Sequence, residues 1–113
     1  MYNSLEAAVA RILVKNQIPY AYEKTVMVPN KNGFISIDFA LPGAVFVEAT
    51  YWDDVKTKAA KLNAKYALLK KAIPNARLTV VTKPKFEVSL RRFLEKDINV
   101  QSLESFRHMV SLG

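Results

Sequence analysis

The chain has 113 residues, no cysteine, only three glycines and a net charge of +7. That length suits one domain (1–113) with a single hydrophobic core, and the missing cysteines exclude disulfides and thiolate metal sites. No stretch approaches the roughly 18 uninterrupted apolar residues of a membrane span, and MYNSLEAAVARI carries an acid where a secretory leader is basic, so the cytoplasm is the expected setting and a polyanion the expected partner.

In chain order, Asn3 or Ser4 can cap a first helix running to about Asn16, with Leu5, Val9, Ile12 and Leu13 inward and Pro19 ending it. Tyr20 to Val28 reads as a strand with Tyr20, Tyr22, Val26 and Val28 in one parity, and Pro29-Asn30-Lys31-Asn32-Gly33 is a turn by composition. FISIDFAL and AVFVEATYW are two apolar strand-like runs joined by a tight Leu41-Pro42-Gly43 turn. Asp53 or Asp54 can then cap a lysine-rich helix that stops before Pro74, its apolar stripe being Val55, Ala59, Leu62, Tyr66, Leu69 and Ile73. LTVVT, Leu78 to Thr82, is apolar throughout and reads as an interior strand. Val88 to Glu95 is helical by pattern, Ile98-Val100 a short strand and Ser105 to Leu112 a last helix. The core order α-β-β-β-α-β-α predicts an α/β (α+β) fold whose mixed central sheet is flanked by helices.

The chemistry concentrates on the two apolar runs. If their turn closes a three-residue hairpin loop, Asp38 faces Glu48 across the ladder, with Ser36 and Thr50 beside them. Like charges so placed repel, by roughly 0.2–1 kcal/mol even in an exposed ladder. A hard divalent cation such as Mg²⁺ or Mn²⁺ relieves the repulsion, because it takes one or two carboxylates and leaves its other positions to water and phosphate. On this reading, removing either acid leaves the metal-free protein no less stable. Asp38 has the alternative role of an edge-strand charge that blocks aggregation.

A second signal is the charge distribution. No acid stands between Asp54 and Glu87, while nine of the 17 basic residues do: Lys56, Lys58, Lys61, Lys65, Lys70, Lys71, Arg77, Lys83 and Lys85. An ordinary solvated helix interleaves Glu with Lys, so this segment reads as a surface for nucleic-acid phosphates, with Lys56, Lys58, Lys61, Lys65, Lys83 and Lys85 as contacts. Tyr51, Trp52 and Phe46 read as core residues rather than stacking platforms, and His108, the only histidine, as a surface residue of the last helix.

The element order and the placing of these acids resemble the PD-(D/E)XK nuclease superfamily, which includes restriction endonucleases and archaeal Holliday-junction resolvases. The resemblance spans roughly Ser4 to Pro84. It rests on Asp38 in SIDFA, Glu48 in VEAT nine intervening residues later, and Glu6 in the leading helix. It implies a restriction-endonuclease-like αβββαβ core and a Mg²⁺-dependent endonuclease, a phosphodiester hydrolase acting on DNA and, like several compact members, a homodimer. Asp38 and Glu48 would hold the metal with Glu6 as a further ligand, although Glu6 serves equally as a capping-box acid for Asn3. The pattern departs at Thr50, where members usually carry lysine, so Thr50 can only hold a water and the cation would come from Lys58 or Lys61 on the next helix. The alternative is a catalytically inactive nucleic-acid-binding domain on the same fold.

Overall fold

In the computed structural model, residues 2–29, 33–51 and 53–112 are described. Most of the 29–33 turn and all of Trp52 lie outside them. Helix α1 (Ser4–Lys15) opens with a capping box: Asn3 Oδ1 accepts from the Glu6 N–H at 2.8 Å, and Glu6 Oε1 accepts from the Asn3 N–H at 3.0 Å. Two of the donors that a helix start leaves open are satisfied in this way.

Strands β1 (Ala21–Met27), β2 (Phe34–Leu41) and β3 (Val45–Ala49) follow as an antiparallel meander. Helix α2 (Val55–Ala72) is capped by Asp54, whose carboxylate accepts from the Thr57 N–H and hydroxyl. It is the crossover that parallel pairing requires, and it sets β4 (Arg77–Thr82) alongside β3. Helix α3 (Pro84–Phe93) likewise carries the chain to β5 (Asn99–Ser102), which pairs parallel with β4 and leads into α4 (Leu103–Leu112). The sheet order is β1-β2-β3-β4-β5, so the LTVVT strand is interior. Helix α3 starts at Pro84 rather than Val88. Proline at the first helical position has its φ already set and lacks an N–H that would in any case be unpaired, a start signal present in the sequence.

Two apolar cores sandwich the sheet. Ala59, Leu62, Tyr66 and Leu69 of α2 and Leu90 of α3 pack on one face against Ile35, Ile37, Phe46, Leu78 and Val80. Leu5, Val9, Ile12 and Leu13 of α1 and Phe106 of α4 pack on the other against Phe39, Val47, Ala49 and Val81.

The expected parity of the first strand is broken. Tyr20 and Tyr22 pack on the α1/α4 side, whereas Val26 and Val28 belong to the α2/α3 core. The partner strand switches at the matching place, since Ile37 and Phe39, two residues apart, lie in opposite cores. Between the pairs Tyr22↔Phe39 and Lys24↔Ile37 sit Glu23, with a left-handed φ of 53°, and Asp38. The register is the same on both sides, so the irregularity exchanges faces without shifting the pairing. A non-glycine residue adopts such a φ only where its surroundings impose it.

A carboxylate pair and a lysine at the end of the central strand

The β2–β3 ladder is fixed by its turn. Leu41 pairs with Val45, leaving 42–44 as a three-residue loop in which Gly43 and Ala44 have φ of 80° and 60°. The pairing runs back to Phe39↔Val47, and Asp38 and Glu48 come one step beyond it. There the side chains take over the backbone donors. The Asp38 N–H donates to Glu48 Oε2 at 2.7 Å, and the Ala49 N–H donates to Asp38 Oδ2 at 2.9 Å. Each acid thus holds the opposite strand, and Glu48 is 5% exposed.

Lys65 of α2 donates to the other Glu48 oxygen, Oε1, at 2.5 Å. The cation at this site is therefore Lys65, one helical turn beyond Lys61 and in the same angular row as Lys58. Lys61 is exposed and Lys58 half-buried. Thr50 takes a backbone role, its N–H donating to the Val81 carbonyl at 2.9 Å. Next to this end of β4, the Thr82 hydroxyl is fully buried and, among the described residues, has no hydrogen-bond partner.

Burial first, and the Glu48 charge second, push the Asp38 carboxyl up to about 7; the Glu6 charge adds to this and the Ala49 N–H opposes it. Glu6 Oε1 also accepts from the Tyr22 hydroxyl at 3.0 Å, and burial followed by that bond raises the phenol's pKa. Glu6 Oε1 therefore serves as both cap and tyrosine acceptor, and the Glu6 charge is felt at Asp38. Among the described residues, no group of three or more His, Cys, Asp or Glu side chains is arranged to hold a metal. The donor set is the Asp38–Glu48 pair. Two hard oxygen ligands suit Mg²⁺ or Mn²⁺ that keeps several waters and takes further oxygens from a phosphate.

The expectation that losing either acid costs the metal-free protein nothing is revised by these bonds. Asp38→Ala would orphan the Ala49 N–H on a residue 3% exposed, and Glu48→Ala would orphan the Asp38 N–H and strip Lys65 of its partner. Each unsatisfied buried donor costs about 1–3 kcal/mol, more than an exposed like-charge pair.

Other lysines of the basic segment lie over aromatic rings. Lys83 Nζ sits 3.8 Å from the Tyr51 centroid, Lys85 Nζ 5.0 Å from Phe86, and Lys56 Nζ 5.8 Å from Phe93. Phe46 is core at 4% exposed, whereas Tyr51 is 40% exposed; His108 is exposed on α4. The helical stripe puts Lys58, Lys61 and Lys65 along one edge, but the sequence does not tell which of them stands level with Glu48. No helix among the described residues is long and apolar enough to cross a membrane. No protein-family model, curated protein or solved structure matches the chain.

Proposed function

We propose that this protein is a metal-dependent nuclease that hydrolyses phosphodiester bonds, with DNA as its substrate. Asp38 and Glu48 would hold Mg²⁺ or Mn²⁺, and Lys65 takes the part assigned by sequence to Lys58 or Lys61. The observation that supports this reading is the meeting of Asp38, Glu48 and Lys65 at one point, with Lys65 drawn from the acid-free basic segment. When bound, the cation supplies Lewis acidity and a water acidified enough to attack. Lys65 keeps Glu48 neutralised at rest, and its ammonium stays close enough to share itself with a phosphate that comes to the carboxylates. Thr50, by its position, holds a water at most. Lys56, Lys58, Lys61, Lys83 and Lys85 neutralise the flanking phosphates. A homodimer belongs to the same reading, because so small a domain offers DNA little surface, as does a cytoplasmic setting.

A second reading, a binding domain without catalysis, draws on the same bonds. Lys65 already neutralises Glu48, and both carboxylates already serve backbone donors. A nuclease assay with Mg²⁺ or Mn²⁺ on a panel of linear and branched DNAs separates the two. Cleavage by wild type that is lost in Asp38→Asn and Lys65→Met supports the nuclease; salt-sensitive binding without cleavage selects the binding domain.

A further inference from the structure

We infer that Tyr51 and Phe86, with Lys83 and Lys85, form a platform for an unpaired nucleotide of the substrate strand. Tyr51 lies three residues past Glu48, a chain length of at most about 10 Å. Its ring is nearly parallel to that of Phe86, at 12° and 6.3 Å between centroids. Phe86 is partly buried against the α2/α3 core, which anchors the pair to the fold. Each ring carries a lysine ammonium over its face, Lys83 over Tyr51 and Lys85 over Phe86. Both lysines are exposed, so these faces are covered by flexible side chains rather than by packed protein.

The magnitudes favour exchanging that cover for a base. An exposed lysine over a ring contributes about 2- to 5-fold in an equilibrium. A nucleobase stacked on an aromatic side chain contributes about 5- to 150-fold in affinity, whatever the base. An incoming nucleotide therefore displaces Lys83 from the ring and offers it a phosphate in return, so that the same residues hold base and backbone. A base inside a duplex has both faces stacked and gains nothing here. The platform thus selects strands with an unpaired nucleotide beside the carboxylate site, such as single strands, flaps or junction arms. The inference rests on the nucleic-acid reading above and is independent of catalysis.

The test is equilibrium binding of the full chain, by fluorescence anisotropy in EDTA, to a labelled oligothymidylate and to a duplex of equal length. EDTA removes any metal, so a protein that binds but never cleaves still answers the question. Tyr51→Ala should weaken single-strand binding about 5- to 150-fold and duplex binding by less than about 5-fold. Tyr51→Leu, which keeps bulk in place of a π face should the alanine variant fold poorly, should fall with it, and Tyr51→Trp should bind at least as well as wild type. Lys83→Gln should flatten the single-strand salt slope by about 0.7. Equal losses on both ligands, or no loss on the single strand, would overturn the platform.

Discussion

Glu48 and Lys65 meet at 2.5 Å with very different exposures: the glutamate side chain is 6% exposed and the lysine 31%. The acid cannot escape to water, whereas the base can. Removing the lysine therefore leaves a buried charge unpaired, which costs about 3–5 kcal/mol for a fully buried pair and less here because Lys65 is partly solvated. Lys65→Met should lower stability by about 1–3 kcal/mol in urea denaturation, and Glu48→Gln/Lys65→Met should recover part of that loss. If the pair also serves catalysis, Lys65→Met should slow cleavage by about 10²–10³-fold, while Lys58→Ala and Lys61→Ala leave the rate near wild type.

Asp38 should make the metal-free protein less stable as pH rises. Its folded value of about 7 lies above the ordinary aspartate value of 3.8, so the folded chain binds more protons between those values. Its contribution is fully present below about 4, is lost as pH climbs toward 7, and is flat beyond. At 1.36 kcal/mol per pKa unit the full change would be about 4 kcal/mol, and partial solvation reduces it to about 1–3 kcal/mol. Asp38→Asn keeps an oxygen for the Ala49 N–H but cannot ionise. It should therefore remove this slope and be more stable than wild type at pH 8. Equal pH profiles for the two proteins in chemical denaturation would contradict this.

Calorimetric titration with Mn²⁺ should show a weak site in wild type that disappears in Asp38→Ala and in Glu48→Ala. Glu6→Gln should retain most of the affinity, because the Glu6 carboxylate is bonded to the Asn3 N–H and the Tyr22 hydroxyl. Undiminished binding in both alanine variants would place the metal elsewhere.

Lys56, Lys58 and Lys61 should supply a sequence-independent part of DNA affinity. Replacing all three by Gln should flatten the log–log salt dependence on duplex DNA by up to about 2.7, at about 0.9 per phosphate neutralised. An unchanged slope would move the contact surface off α2.

The buried hydroxyl of Thr82, which has no partner among the described residues, gives a test on stability alone. Thr82→Val keeps the shape and removes the unsatisfied group, so it should stabilise the protein by about 1 kcal/mol. A destabilised variant would show that the hydroxyl has a partner in solution.

The fold was largely legible because its punctuation is local. Asn3 and Asp54 announce helix starts, Pro19 and Pro74 close them, and the three-residue loop after Leu41 sets Asp38 against Glu48 by counting. Pro84 announces α3 as clearly, whereas the apolar spacing alone points to the later start at Val88. The exchange of faces at Glu23 and Asp38 had no such mark, since nothing in Tyr-Glu-Lys calls for a left-handed residue. Strict alternation therefore grouped Tyr20 and Tyr22 with Val26 and Val28. Tyr51 reads as core because it follows a buried strand, yet the chain turns outward there and leaves its ring under Lys83.

The exchange of faces at Glu23 and Asp38 makes one hairpin a shared wall. Its far half, with Val26, Ile35 and Ile37, closes the compartment under α2 and α3; its near half, with Tyr22 and Phe39, closes the one under α1 and α4. Neither compartment can open fully while the other keeps that wall in place. Amide protons of α1 and α2 should therefore exchange through a common, whole-molecule opening rather than as separate units.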